Sequence, residues 1–279
     1  MNKFKNLIYY GISRFFNLSP NNISGIPALL YNRVGTEEDC KLSSISYVSI
    51  DNFELQLDYL VGQKYYFATL DEVVKYVKAE ITLPEKTIAI TFDDGFQDNN
   101  RYAFPVLKQR GINATIFINT GFIGKRLSLD EAFGVRSTAP NRKDVFHQFL
   151  SWDEIIEMSN NGIDFEPHTH THVDLTAIKE SEIEREIKLS KDIIEERLNK
   201  MVKHFSYPYG EYNEKVCDVV RKMGFESTWA VRPYNVKPKM DLYTLPRKGS
   251  GNVSLERFKI IISDYAKWFF FAKELCGRK

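Results

Sequence analysis

Cysteine is scarce in this 279-residue chain: there are three, Cys40, Cys217 and Cys276, widely spaced and odd in number. That excludes a zinc-finger pair or a Cys-x-x-Cys redox pair, leaves scattered reduced thiols, and suits a reducing compartment. Net charge is scarce too. Lys and Arg number 38 against 37 Asp and Glu, a formal +1, so there is no basic footprint for nucleic acid and a neutral or weakly charged substrate fits better. No apolar run reaches the roughly 18 residues of a membrane-spanning helix. Near the start, Lys3 and Lys5 precede Leu7, Ile8, Tyr9 and Tyr10, but Arg14 interrupts the run and no small-residue cleavage site follows. A secretory signal is therefore not expected, and a cytoplasmic, membrane-adjacent protein is. Residues 1–24 read as an amphipathic segment. That segment, and Trp268, Phe269, Phe270 and Phe271 between Lys267 and Lys273, are candidates for peripheral membrane contact, with packing on the protein itself as the alternative. Repeats, low-complexity tracts and Pro/Gly-rich linkers are absent, so residues 25–279 read as one domain.

What the chain does have is core-forming material: 43% hydrophobic residues, and 14% aromatic. Strand-like and helix-like segments alternate from about residue 26 to 250. Ile26 to Tyr31, Thr87 to Thr91, Ala114 to Ile118, Ile163 to Phe165 and His204 to Tyr207 read as strands. Helical spacing marks Phe53, Leu57 and Leu60, then Val73, Val74 and Val77, Ala103 to Gln109, Trp152 to Asn160, Ser181 to Lys203, and Val216 to Met223. Such alternation implies an α/β fold with a mainly parallel sheet, open or closed as a barrel. In barrels of this kind chemistry gathers on the loops at the carboxyl ends of strands. Asp93, Asp94, His168 and Tyr209 each follow an expected strand and are placed on one rim. Residues 121–150 are too long for a plain connection and form a candidate substrate-binding loop.

Five histidines are present, and three fall within 168–172. Asp93 and Asp94 are adjacent, so one can bind a cation while the other takes a proton; Asp-Asp-Gly also makes a good turn. On a helical turn His168 and His172 would share a face. In an extended segment His168, His170 and His172 would. Two imidazoles and one carboxylate are a common ligand set for a catalytic Zn²⁺ with an open position, which points to metal-assisted hydrolysis.

These segments resemble the polysaccharide deacetylases, the chitooligosaccharide-deacetylase (NodB) homology domain of the family-four carbohydrate esterases, over roughly residues 25 to 250. Thr91-Phe92-Asp93-Asp94-Gly95 matches the first family motif, His168-Thr169-His170-Thr171-His172 the second, and Phe205-Ser206-Tyr207-Pro208-Tyr209-Gly210 part of the third. The resemblance implies a distorted parallel (β/α) barrel with fewer than eight repeats. It implies a divalent metal, Zn²⁺ foremost, on Asp94, His168 and His172, with Asp93 as the general base. The backbone N–H of Tyr209 would hold the oxyanion. Thr169 would stabilise the loop, and His170, at a variable position, would be structural. The implied reaction removes an N-acetyl group from a sugar, oligosaccharide or glycan precursor, releasing acetate and a free amine.

Three departures from the family pattern stand out, and the last two bear on the general acid. Ser206 stands where many relatives carry Arg beside the base. Arg247, in Leu245-Pro246-Arg247, stands where many carry a late His. The strand Ile26 to Val34 is similar to that of the poly-N-acetylglucosamine deacetylase branch, but Asn32 replaces its histidine. Asn32, Tyr207 and Arg247 are therefore expected to support the site or touch substrate. Asparagine does not titrate and Arg stays protonated, so Arg247 is expected to fix Asp93 through a charge-assisted hydrogen bond. The alternatives are a catalytically weakened metal- and glycan-binding relative, or an O-acetyl esterase.

Overall fold

The computed structural model describes residues 23–36, 38, 45–134 and 146–266. The amphipathic segment up to residue 22, Cys40, Cys276, the aromatic stretch at 268–271 and part of the 121–150 loop lie outside the described residues. The elements run β1 (Ala28–Tyr31), β2 (Arg33–Gly35), β3 (Tyr47–Ser49), α1 (Ile50–Gly62), β4 (Tyr66–Phe67), α2 (Leu70–Val77) and β5 (Thr87–Asp94). A π-helical turn (Asn99–Ala103) leads into α3 (Phe104–Gln109), β6 (Ala114–Ile118), β7 (Arg126–Ser128), α4 (Leu129–Phe133), β8 (Phe146–Gln148) and α5 (Trp152–Ser159). Then come β9 (Ile163–Pro167), α6 (Glu180–Leu198), β10 (His204–Ser206), α7 (Glu214–Lys222), β11 (Ser227–Val231), β12 (Leu245–Gly249) and α8 (Leu255–Ile262).

Seven strands pair in the order β10-β11-β12-β1-β5-β6-β9, all parallel, and helices cover the outside. This is the distorted (β/α) barrel with fewer than eight repeats. Pleating sorts its residues. Leu29, Ile88, Ile90, Phe92, Ile116 and Phe165 pack outward under the helices, whereas Ala28, Ala89, Phe117, Trp229 and Leu245 pack together as the inward set. By the same alternation Thr91, Asp93, Ser206 and Arg247 face inward. Helix starts are set by side chains: Ser49 caps α1, while Thr69 with Glu72 and Ser151 with Glu154 form capping boxes on α2 and α5.

The barrel closes without a complete ladder. Among the described residues no strand bonds pair β9 with β10, although the two lie in contact. Side chains bridge this seam. Glu166 on β9, buried, accepts the backbone N–H groups of Lys203 and His204 at 3.0 Å each. The Nδ1 of His168 meets the carbonyl of Ser206 at 2.8 Å.

Several boundaries differ from the sequence expectation. β5 runs on through Asp94, because Asp93 and Asp94 continue its pairing with Phe117 and Ile118 on β6. α6 ends at Leu198 and not near Lys203, because Asn199 adopts a left-handed φ of 48° and Lys200 turns to Asp164 and Glu166. Residues 121–150 contain the antiparallel pair β7–β8 and the short helix α4. Among the described residues no helix is long and apolar enough to cross a membrane.

Candidate functional site

The carboxyl ends of β1, β5, β9, β11 and β12 open into a cavity of about 410 Å³. Its floor is Asn32, Asp93, Asp94, His168 and His172; its walls include Leu30, Leu129, Phe133, Tyr209 and Val231. The two loop residues Leu129 and Phe133 come from α4, so the long 121–150 segment does reach the site.

Asp93 and Asp94 are both buried but have different neighbours. Asp93 faces into the barrel with Thr91. Arg247 donates to it from Nη1 to Oδ1 at 2.6 Å and from Nη2 to Oδ2 at 2.8 Å. The same guanidinium reaches Thr91 Oγ1 at 3.2 Å and Ser206 Oγ at 2.5 Å, and Arg247 has no exposed surface. The pleat would send Asp94 outward into the helix layer. Instead Asp94 leaves extended geometry with φ 75°, and its Oδ1 lies 3.4 Å from His172 Nε2 and 3.8 Å from His168 Nε2. Gly95 follows at φ +72°, where a Cβ would sit 2.8 Å from Ile118, so a side chain is excluded at that turn.

The histidine segment is neither a helical turn nor a strand. Thr169 (φ 69°) and His172 (φ 55°) are both left-handed, and this sharp path brings His168 and His172 together while turning His170 away. The path is held from several sides. Thr169 Oγ1 accepts the N–H of His172 at 2.9 Å. Glu186, on the buried stripe of α6, accepts the N–H groups of His170 and Thr171 at 3.1 and 2.8 Å. From the loop after β6, Asn119 Nδ2 donates to the His168 carbonyl, and Thr120 Oγ1 pairs with His170 Nδ1 at 2.9 Å.

Three ligand atoms, one each from Asp94, His168 and His172, lie within 4.8 Å of one another. The fit to a cation can be tested on this geometry. An ion with donors about 2.1 Å away at tetrahedral angles holds those donors about 3.4 Å apart, close to the two spacings around Asp94 Oδ1. That oxygen is buried without a hydrogen-bond partner among the described residues. The Ser206 carbonyl can only accept, so His168 carries its proton on Nδ1 and leaves Nε2 with a free lone pair. Burial, then the charge of Asp93, pushes the Asp94 carboxyl up to about 7, against the Asn32 hydrogen bond. Burial holds His168 below its ordinary value. Burial and then His168 hold His172 well below. Neutral imidazoles and a buried carboxyl oxygen with no hydrogen-bond partner among the described residues are a donor set that suits a cation.

The remaining expected residues lie as follows. Asn32 Nδ2 donates to Asp94 Oδ2 at 2.9 Å. Tyr209 is half exposed at the mouth, with a left-handed φ of 60°, and its ring centroid lies 4.6 Å from that of His172. Tyr207 is fully buried outside the cavity, its hydroxyl bonded by Thr228 at 2.9 Å and donating to the Tyr243 carbonyl at 3.1 Å. It is not among the residues that line the cavity. Asn119, Asn99 and Glu186 went unread in the sequence. Glu186 alone left a signal there: it is a charge falling on the apolar stripe of Ile183, Ile187 and Ile194.

Known proteins are similar to this chain in sequence and in architecture. The polysaccharide deacetylase family model matches residues 80–228. The poly-beta-1,6-N-acetyl-D-glucosamine N-deacetylase of Staphylococcus epidermidis is 31% identical over 232 residues, covering 78% of this chain and 72% of that protein. The Streptococcus pyogenes deacetylase PplD, solved with acetate, superposes with a TM-score of 0.70 at 25% identity, over 85% of this chain and 96% of its own. IcaB from Ammonifex degensii does so with a TM-score of 0.70 at 26% identity, over 87% and 97%. A matched region that runs from just before β5 into β11, carrying both aspartates and both clustered imidazoles, leaves one assignment: the chain belongs to the polysaccharide deacetylase family.

Proposed function

We propose that this protein is a metal-dependent N-deacetylase of an N-acetylated glycan, releasing acetate and a free amine. The observation that carries this reading is the unshared Oδ1 of Asp94 facing two imidazole nitrogens, with a second carboxylate beside it tied to an arginine. Asp94, His168 and His172 would hold the cation, Zn²⁺ by donor set. When bound, it supplies a Lewis acid that acidifies water and polarises the acyl carbonyl.

Asp93 is the general base. Its Oδ2 lies 3.9 Å from His168 Nε2, beside the cradle and outside the ligand set. The two hydrogen bonds from Arg247 fix its orientation and leave further lone pairs for the proton of the attacking water. The backbone N–H of Tyr209, on the cavity rim, is the donor for the oxyanion. Leu30, Leu129, Phe133 and the Tyr209 ring give the cavity apolar walls that suit an acetyl methyl and a sugar face. The name of the staphylococcal relative makes β-1,6-linked poly-N-acetylglucosamine the first substrate to try.

The test is acetate release from N-acetylglucosamine oligomers by zinc-loaded protein. Asp93→Asn is expected to lower the rate by about 10²–10⁴-fold with zinc still bound. Stoichiometric zinc without acetate from any glycan tried would overturn the reading. A second reading, a metal- and glycan-binding relative with weak turnover, is favoured by one observation. The two positions expected to supply an acid hold Asn32 and Arg247, each engaged with a site aspartate. If it holds, Asn32→His raises the rate; if Asp93 itself returns its proton to the leaving amine, that variant brings no gain. Comparing O-acetyl with N-acetyl substrates separates an esterase from both.

A further inference from the structure

The two oxygens of Asp94 are in different circumstances. Oδ2 accepts the Asn32 amide at 2.9 Å. Oδ1 is buried and has no hydrogen-bond partner among the described residues. The side chain that makes this division is itself braced. Asn32 sits at the joint between β1 and β2, and its carbonyl accepts Nδ2 of Asn99 at 3.0 Å. Asn99 is fully buried in the π-helical turn after β5, a distortion of the kind often retained at functional sites. On either side of Asn32, Tyr31 donates to Gln56 at 2.8 Å and Arg33 pairs with Asp98 at 2.6 Å. The amide nitrogen thus arrives at one carboxylate oxygen from a fixed backbone.

An amide donor suits this place. Its nitrogen has no lone pair for a metal, so it does not compete for the cation, and it donates at every pH. We infer that Asn32, braced by Asn99, is a positioning residue that keeps Asp94 a one-oxygen ligand and thereby sets the affinity and selectivity of the cation site. The inference rests on the metal site proposed above. With Oδ2 occupied, Asp94 and two imidazoles supply three donors and leave a four-coordinate ion one open position. With Oδ2 released, the carboxylate can chelate through both oxygens, a mode suited to larger, oxygen-preferring cations of higher coordination number.

The experiment is calorimetric titration of metal-stripped full-length protein with Zn²⁺ and, separately, Mn²⁺, alongside thermal unfolding of the metal-free forms. Asn32→Leu keeps the approximate shape and removes the donor. It is expected to bind Zn²⁺ about 10–100-fold more weakly, to lose less affinity for Mn²⁺, and to unfold near the wild-type temperature without metal. Asn99→Ala is expected to move both affinities in the same directions by less. If Asn32→Leu does not fold, Asn32→Ala is read in the same way. Zn²⁺ affinity within twofold of wild type, or an unchanged Zn²⁺/Mn²⁺ ratio, overturns the role of Asn32 alone. A wild type that takes up no Zn²⁺ overturns the metal site itself.

Discussion

Two neighbouring aspartates on β5 serve opposite partners because one obeys the pleat and the other leaves it. Asp93 stays on the inward face and meets Arg247, whose guanidinium crosses the barrel interior from β12. The small Ser206 on β10 leaves room for it and adds a hydroxyl contact at 2.5 Å. Neither charge is tolerable there alone, since a buried ion stripped of its partner costs about 3–5 kcal/mol. Arg247→Met is therefore expected to destabilise the metal-free protein by about that amount in urea unfolding. In the Asp93→Asn/Arg247→Met double variant no buried charge is left unpaired, so most of the loss should return. Additive losses across the cycle would show that the pair does not act as a unit. The residue types of this pair and their charge-assisted bond were legible in the sequence, because Arg247 occupies a recognisable late position. The bidentate geometry was not, because it depends on Thr91, two residues earlier on β5, and on Ser206 from β10.

At the scale of elements, the histidine segment shows where reading by period stops. Spacing identified His168 and His172 as partners but offered only a helical turn or a strand. The chain uses a third path with left-handed residues at 169 and 172, conformations that carry a local cost and persist where surroundings enforce them. The enforcement comes from Asn119 after β6 and Glu186 on α6, both distant in sequence. Glu186 gives one carboxylate oxygen to two backbone N–H groups. Glu186→Ala leaves both donors unsatisfied and is expected to cost about 2–3 kcal/mol and to weaken Zn²⁺ binding about tenfold. Glu186→Gln keeps an acceptor oxygen and should lose less than half of that in urea unfolding and calorimetry. Equal losses in the two variants, or unchanged zinc affinity in Glu186→Ala, would remove the clamp from the account. Helix ends followed the same logic: α6 stops where Asn199 turns left-handed, a choice that the periodicity of its apolar stripe could not show.

For the whole molecule, alternation of strand and helix carried the barrel and the placement of Asp93, Asp94, His168 and Tyr209 on one rim, since parallel strands deliver their carboxyl ends to the same side. The seam between β9 and β10 was not legible, because a glutamate standing in for ladder bonds leaves no pattern of its own. Nor was Lys248, which alternation turns outward from β12, opposite in sense to Arg247. It is buried beneath the end of α8, where its Nζ donates to the Ser263 carbonyl at 2.8 Å. A helix carboxyl end favours a cation and Asp264 adds to that, yet burial outweighs both and pushes the amine down to about 7. In the unfolded chain the same amine titrates near 10.4. Because the folded value is the lower one, the penalty is absent above about pH 10 and complete below about pH 7. Lys248→Met removes it. At pH 7 the variant should therefore be more stable, by on the order of 3–5 kcal/mol before subtracting about 1 kcal/mol for the lost hydrogen bond. At pH 10 the gain should shrink to nothing or reverse. Urea unfolding of both proteins at the two pH values measures this directly, and a difference that does not change with pH would mean that Lys248 is charged in the fold and held by Ser263 and Asp264.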